Sequence, residues 1–142
     1  MKWSWVSKWW PERAKAIAEI IPPNSTVIDL GGGHGKLKTL LSKPKRYVNV
    51  DIHIWNKSIV VADFNKNEYP DVGMFDYIVV QGVLEYLNNQ SKFLKEIKKY
   101  GDVLIISYMG TISTLLDGSG WTVVFSKYIE PEQKLYYCRK KL

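Results

Sequence analysis

Cysteine and histidine are scarce in this sequence of 142 residues, which has one cysteine, Cys138, and two histidines, His34 and His53. One cysteine excludes a framework of internal disulfides and a cysteine-based zinc site, and two histidines exclude a histidine-rich metal cluster. We therefore predict no metal site. No apolar run approaches the roughly 18 residues of a membrane-spanning helix. The first residues lack the aliphatic core of a signal peptide, so a cytoplasmic protein is expected.

Arginine is also scarce, because seventeen of the twenty positively charged residues are lysines. Nucleic-acid sites that read a base sequence usually depend on arginine. The net charge of +6 therefore favours a solvated lysine-rich surface and leaves nucleic acid as an unsupported partner. The hydrophobic fraction of 46% excludes disorder as the main state. The length is that of a single domain, which we place over residues 1–142.

Short apolar runs alternate with helical patterns along the chain. Strands are predicted over residues 26–30, 46–51, 58–62, 75–81, 103–107, 121–128 and 134–139. Helices are predicted over residues 11–21, 34–41, 91–100 and 111–117. This order implies an α/β fold, a compact three-layer sandwich with a mostly parallel seven-stranded sheet. The links between strands two and three and between three and four are too short for full helices, and residues 130–132 close a C-terminal antiparallel hairpin.

A glycine-rich segment, residues 29–35 (DLGGGHG), directly follows the first predicted strand. A P-loop would need glycine at position 30 and a hydroxyl residue at position 37, where this chain has Leu30 and Leu37. The dinucleotide fingerprint would need glycine at position 36, which is Lys36. Both motifs are therefore excluded. The remaining pattern is G-x-G-x-G with an acidic residue two positions before its first glycine.

That pattern resembles motif I of the class I S-adenosylmethionine-dependent methyltransferases, and three further segments match the same family in order. Asp51 ends the second strand, Ala62-Asp63-Phe64 follows the third, and FDYIVVQGVLEYL occupies residues 75–87. Residues 60–89 are also similar to the MetW branch of the family. The resemblance runs from about residue 26 to 107. It implies a Rossmann-like fold, S-adenosyl-L-methionine as the cofactor and S-adenosyl-L-homocysteine as the product.

The resemblance implies a cofactor site on the carboxyl ends of the strands. Its residues are Asp29, Gly31, Gly33, His34, Gly35, Asp51, Ile52, Asp63, Phe64, Gln81 and Gly82. Glycines let the backbone approach a ligand, and the amides at the start of the next helix suit the methionyl carboxylate. The Asp51 carboxylate can accept both ribose hydroxyls. Asp63 can accept the adenine amino group, and Phe64 can pack on the adenine ring.

Three of the acidic residues also have a structural interpretation. Asp51 can be a turn or capping residue, and Asp63 can form an Asx turn with Asn65. Asp29 can orient the glycine loop instead of contacting the cofactor amine. These alternatives stay open on the sequence alone.

Candidates for a general base are few. Glu85 lies where the family places residues on the acceptor side, and His53 follows Asp51 by two positions. Each can instead be a binding or packing residue. The N/D-P-P-Y/F motif of enzymes that methylate amino groups of nucleic acids is missing after the fourth strand. We expect transfer of a methyl group to a small-molecule or glycan acceptor. The alternatives are a catalytically silent cofactor-binding partner module, cleavage of the sulfonium, and nucleic-acid methylation.

The first ten residues contain four of the six tryptophans. Trp3, Trp5, Trp9 and Trp10 can pack on the domain or in a homo-oligomer, form a lid over the pocket, or anchor the chain at a membrane surface.

Overall fold

The computed structural model describes residues 10–130 and 133–142. The hypotheses on Trp3, Trp5 and Trp9 therefore concern residues outside the described part. The helices are α1 (Trp10–Ile20), α2 (Lys36–Leu40), α3 (Gln90–Glu96) and α4 (Ser113–Gly118). The strands are β1 (Thr26–Leu30), β2 (Arg46–Asp51), β3 (Val60–Val61), β4 (Tyr77–Gln81), β5 (Val103–Met109), β6 (Trp121–Glu130) and β7 (Gln133–Lys140). Three 3₁₀ turns cover Phe64–Lys66, Leu84–Tyr86 and Ile97–Tyr100.

The seven strands form one mixed sheet in the order β3-β2-β1-β4-β5-β7-β6. Strands β1 to β5 pair in parallel, and β7 runs antiparallel to both β5 and β6. The predicted α/β class, the mostly parallel seven-stranded sheet and the C-terminal hairpin are thus confirmed. The reduced connections are confirmed as well, because a loop joins β2 to β3 and only a 3₁₀ turn lies between β3 and β4.

Several predicted boundaries were wrong, for local reasons. The third strand was predicted over 58–62 but is limited to Val60–Val61. The Asn56 carboxamide oxygen accepts the Ser58 amide at 2.9 Å, which holds the start of this segment in a turn. Helix α2 was predicted over 34–41 but begins at Lys36, because Gly35 adopts a left-handed conformation with φ of 83°. The predicted helix 91–100 is an α-helix only to Glu96 and then tightens into a 3₁₀ turn.

The sheet has an apolar layer on each face, as strand alternation requires. One layer combines Ile28 and Leu104 with Phe93, Leu94 and other residues of α3 and α4. The opposite layer combines Val27, Val79 and Ile105 with Ile17 of α1 and Leu37 of α2, among others. Asp29 follows Val27 by two positions, so its side chain shares the face that α1 and α2 cover. This places a carboxylate inside an apolar layer.

Strands β1, β2 and β4 all run in parallel and end at one edge of the sheet, where open parallel sheets bind their ligands. Among the described residues, no helix is long and apolar enough to cross a membrane.

Candidate functional site

A cavity of about 610 Å³ opens at the carboxyl ends of the central strands. Both base candidates, Glu85 and His53, line it. So do nine of the predicted cofactor-binding residues: Gly31, Gly33, His34, Asp51, Ile52, Asp63, Phe64, Gln81 and Gly82. The structure therefore brings residues from four separate segments of the chain to one pocket. Asp29 and Gly35 do not line this cavity.

Asp29 lies beneath the glycine loop and is completely buried. The Tyr47 hydroxyl donates a hydrogen bond to its Oδ2, whereas Oδ1 has no hydrogen-bond partner among the described residues. Burial raises the pKa of the Asp29 carboxyl to about 6, although the Tyr47 hydroxyl, the nearby Gln81 amide and the Arg13 charge favour the ionised form. The loop amides that the structure pairs do not bond to Asp29, whose carboxylate lies close under Gly32.

The glycine loop is held by side chains of β2. The Asn49 carboxamide accepts the Gly32 amide at 3.1 Å and donates to the Gly33 carbonyl at 2.9 Å. A Cβ on Gly32 would lie 2.5 Å from Asp29 Oδ2 and 2.6 Å from Asn49 Oδ1. A side chain at position 32 would therefore clash with Asp29 and Asn49, so this position requires glycine. The sequence analysis did not assign Gly32 to the site.

The four glycine amides of the loop are already engaged within the protein. Gly31 donates to the Val50 carbonyl at 2.6 Å, and Gly35 donates to the Gly32 carbonyl at 3.0 Å. Gly33 donates to Asp51 Oδ2 at 2.9 Å. Helix α2 behind the loop has only five residues. The expectation that these glycine amides supply the contact for a carboxylate is therefore weakened.

Asp51 ends β2 and is 8% exposed. Its Oδ2 accepts the Gly33 amide, and its Oδ1 accepts the His53 amide at 3.0 Å. The turn role left open by the sequence is thus present, and it occurs at the cavity wall. Each carboxylate oxygen has more than one acceptor position, so both can still accept a ligand hydroxyl.

Asp63 and Phe64 form the wall that follows β3. Asp63 Oδ1 accepts the Asn65 amide at 3.0 Å, so the Asx turn considered from the sequence is formed. The Phe64 ring is 9% exposed and packs against Tyr69 and Phe93, with centroids 5.5 and 5.1 Å apart. The core thus fixes the orientation of this wall.

Glu85 and His53 lie at the rim of the cavity. Glu85 keeps exposed surface, yet partial desolvation raises the pKa of its carboxyl, and the Arg13 charge offsets this only in part. The Trp55 ring lies between the two histidines, with its centroid 4.2 Å from that of His34 and 5.4 Å from that of His53. We call His34, His53 and Trp55 the aromatic rim. Trp55 was missed by the sequence analysis.

Arg13 of α1 was also missed, although it lines the cavity and is 7% exposed. The sequence did indicate that Arg13 faces inward, because it shares a four-residue spacing with Ile17 and Ile21 on the apolar face of the helix. Within the described part of the chain, no group of three or more His, Cys, Asp or Glu side chains could hold a metal ion.

The strand order, the glycine loop after β1 and the carboxylate at the end of β2 define the class of S-adenosylmethionine-dependent methyltransferases of class I. Residues 3–126 match the methyltransferase domain family, and the chain belongs to that family. The resemblance to class I S-adenosylmethionine-dependent methyltransferases is thereby confirmed, together with the methyltransferase activity and S-adenosylmethionine as its cofactor. The similarity to the MetW branch stays a prediction.

Solved structures with this fold include a SAM-dependent methyltransferase from Aquifex aeolicus, 20% identical with a TM-score of 0.70 over 90% of this chain and 88% of that one. A TehB-like SAM-dependent methyltransferase from Corynebacterium glutamicum is 17% identical, with a TM-score of 0.73 over 98% and 97%. The N-methyltransferase NodS from Bradyrhizobium japonicum in complex with S-adenosyl-L-homocysteine is 15% identical, with a TM-score of 0.70 over 94% and 86%. No curated protein matches this chain.

Proposed function

We propose that this methyltransferase holds S-adenosylmethionine in the cavity at the strand ends and transfers its methyl group to a small-molecule or glycan acceptor. The observation that carries the proposal is the position of Asp51. Its carboxylate lies at the cavity wall, at the end of β2, with acceptor capacity left after two backbone hydrogen bonds.

The residues present fit this cofactor. The volume of about 610 Å³ is within the range of roughly 300–1,000 Å³ for ligand pockets. In the proposed arrangement Asp51 accepts the ribose hydroxyls, and the wall of Asp63 and Phe64 receives the adenine. The glycine loop, which presents no side chain at Gly31, Gly32 and Gly33, runs along the methionyl part.

The bound cofactor supplies an activated methyl group on a sulfonium. The protein therefore contributes mainly by positioning and by exclusion of water. Asn49 and Asp51 fix the backbone of the glycine loop, which keeps the donor side of the pocket rigid. Glu85 and His53 are the two groups at the rim that we consider for taking a proton. Partial desolvation raises the pKa of the Glu85 carboxyl.

The aromatic rim supports the choice of acceptor. Rings such as Trp55, which is 41% exposed, stack on flat molecules and on sugars. The sequence after β4, Gln81-Gly82-Val83-Leu84, also differs from the N/D-P-P-Y/F motif of enzymes that methylate nucleic-acid amino groups.

Calorimetry with S-adenosylhomocysteine tests the cofactor site. For Asp51→Asn we expect a loss of affinity of about 10- to 100-fold, because charged hydrogen bonds contribute about 1.5–3 kcal/mol. The control is Asp71→Asn, which changes an exposed loop carboxylate that does not line the cavity. This variant should bind S-adenosylhomocysteine as tightly as the unaltered protein. Equal affinities for Asp51→Asn and Asp71→Asn would contradict the assignment.

Radiolabelled methyl transfer into a fractionated cell extract tests the acceptor. We expect label in the small-molecule or glycan fraction, and its loss with Asp51→Asn. Label that appears only in RNA or DNA would refute the acceptor class. Cofactor binding without any transfer would favour the silent partner module instead.

Other expectations stay predictions. They are a single domain over residues 1–142, a cytoplasmic location, a possible homo-oligomer, and the three roles considered for the tryptophan-rich segment, which are packing, a lid and a membrane anchor.

A further inference from the structure

The side chain of Asn65 connects two walls of the cavity. Its Nδ2 donates to the Tyr86 carbonyl at 3.1 Å, and its Oδ1 accepts the Asn88 amide at 2.9 Å. One carboxamide thus makes two hydrogen bonds to backbone that lies 21 and 23 positions further along the chain. We call this pair of contacts the Asn65 bridge. It connects the turn after β3 to the loop of residues 82–89, which lies between β4 and α3.

The turn that contains Asn65 belongs to the wall of Asp63 and Phe64. Asp63 Oδ1 accepts the Asn65 amide at 3.0 Å, and the Asp63 amide donates to Glu68 Oε1 at 2.8 Å. The same Asp63 lines the cavity. The position of Asn65 therefore depends on a residue that a ligand in the cavity contacts.

The other end of the bridge lies in the middle of the loop. Leu84, near the start of the loop, is 1% exposed, and its carbonyl accepts Gln90 Nε2 at 2.9 Å. Asn89, at the end of the loop, caps α3. Tyr86 and Asn88, between these two anchors, are exposed to solvent. Water competes for hydrogen bonds at such positions, so the bridge alone stabilises the loop only modestly.

A ligand in the cavity lies against the bridge. Asn65, Tyr86 and Leu87 line the cavity together with Asp63 and Phe64. A nucleoside placed against Asp63 and Phe64 therefore covers the bridge and excludes water from its two hydrogen bonds. Hydrogen bonds become stronger when their surroundings become less polar.

We propose that Asn65 is a positioning residue that couples the cofactor side of the pocket to its acceptor side. The nucleoside of the cofactor strengthens the Asn65 bridge, and the bridge orders the loop that contains Glu85 and Tyr86. The cofactor-loaded protein therefore binds its methyl acceptor more tightly than the empty protein. The inference rests on the proposed function, because the nucleoside contacts belong to that function.

Hydrogen exchange of the Asn88 amide, followed by NMR, reports on the bridge directly. At saturation with S-adenosylhomocysteine we expect this exchange to slow by about three- to tenfold, the factor that corresponds to one typical hydrogen bond. Saturating 5′-methylthioadenosine, which has the nucleoside but no amino-acid part, should slow it equally. Because coupling is reciprocal, Asn65→Ala should weaken the binding of both ligands by a similar factor.

Lys66→Ala is the matched control, because it changes an exposed neighbour in the same turn. It should keep both the affinity and the protection of the Asn88 amide. Exchange of the Ile105 amide, in the middle of β5, checks that each variant is folded. The measurement on the unaltered protein does not depend on any variant.

Methyl transfer tests the acceptor side of the coupling. With the labelled extract fraction as acceptor and saturating S-adenosylmethionine, Asn65→Ala should need about three- to tenfold more of that fraction for half-maximal transfer. The maximal rate should change less. An unchanged half-maximal amount would contradict the coupling.

Two results of the exchange experiment would overturn the inference while the proposed function stands. One is an Asn88 exchange rate that neither ligand changes, in a protein that binds both. The other is protection by S-adenosylhomocysteine but not by 5′-methylthioadenosine, because the effect would then come from the amino-acid part. Failure of the unaltered protein to bind either ligand would remove the proposed function itself, and the inference with it.

Discussion

The buried carboxyl of Asp29 predicts that the stability of the folded chain falls as pH rises. Its pKa is raised from 3.8 to about 6 by burial, so between these values the folded state binds a proton that the unfolded state has released. Stability from this group is highest below pH 4 and declines until the pH passes 6. The difference of about two units corresponds to roughly 3 kcal/mol.

The substitution Asp29→Asn isolates this contribution. An asparagine keeps an oxygen that can accept the Tyr47 hydroxyl, but it does not titrate. Free energies of unfolding are measured with urea between pH 4 and pH 7.5 for both proteins. Other carboxylates titrate alike in both and cancel in the difference. We expect the unaltered protein to lose roughly 2.5 kcal/mol relative to Asp29→Asn over this range.

Asp71→Asn serves as the control for removing an exposed carboxylate, and its difference from the unaltered protein should vary little with pH. The reasoning would be refuted if the difference between Asp29→Asn and the unaltered protein stayed constant between pH 4 and pH 7.5. A difference that moved in the opposite direction would show that Asp29 is stabilised as an anion in the folded state.

The remaining predictions concern the support of the glycine loop. Tyr47→Phe removes the donor to Asp29 and should lower the free energy of unfolding in urea at pH 7 by about 1–3 kcal/mol. The matched Tyr128→Phe, which changes a tyrosine that is 67% exposed, should lower it by less. Equal losses for the two variants would contradict this. Gly31→Ala should cost more than Gly33→Ala, because both have positive φ, but only the first would place a Cβ 1.9 Å from Val83 Cγ2. Gly33→Ala should cost about 1–2 kcal/mol from backbone strain alone. Val83→Ala should partly rescue Gly31→Ala, and a failure to do so would rule out the steric explanation.

Part of the site was predictable because parallel strands end at one edge. Asp51 ends β2 and Asp63 comes shortly after β3, so their position in the chain was enough to bring them to the cavity. Asp29 is different, because strand alternation places it on the face that α1 covers. The sequence shows the alternation, but not which ligand or side chain the carboxylate meets.

Arg13 and Trp55 escaped prediction for physical reasons. A charged residue in a helix is normally assigned to the solvent face, and only the packing of α1 shows that the guanidinium is buried against Gly82. Trp55 lies in the loop that replaces a helix between β2 and β3, where no periodic pattern indicates a direction. The short β3 was overestimated because Ser58 to Ala62 is apolar enough for a strand, while the Asn56 turn depends on a side-chain hydrogen bond.

Strand β7 follows β6 in the chain but lies between β5 and β6 in the sheet. In the described sheet β6 pairs with β7 and not with β5. Without β7, β6 would therefore have no partner in the described sheet, and the β5–β7 ladder alone holds the whole C-terminal hairpin to the parallel strands.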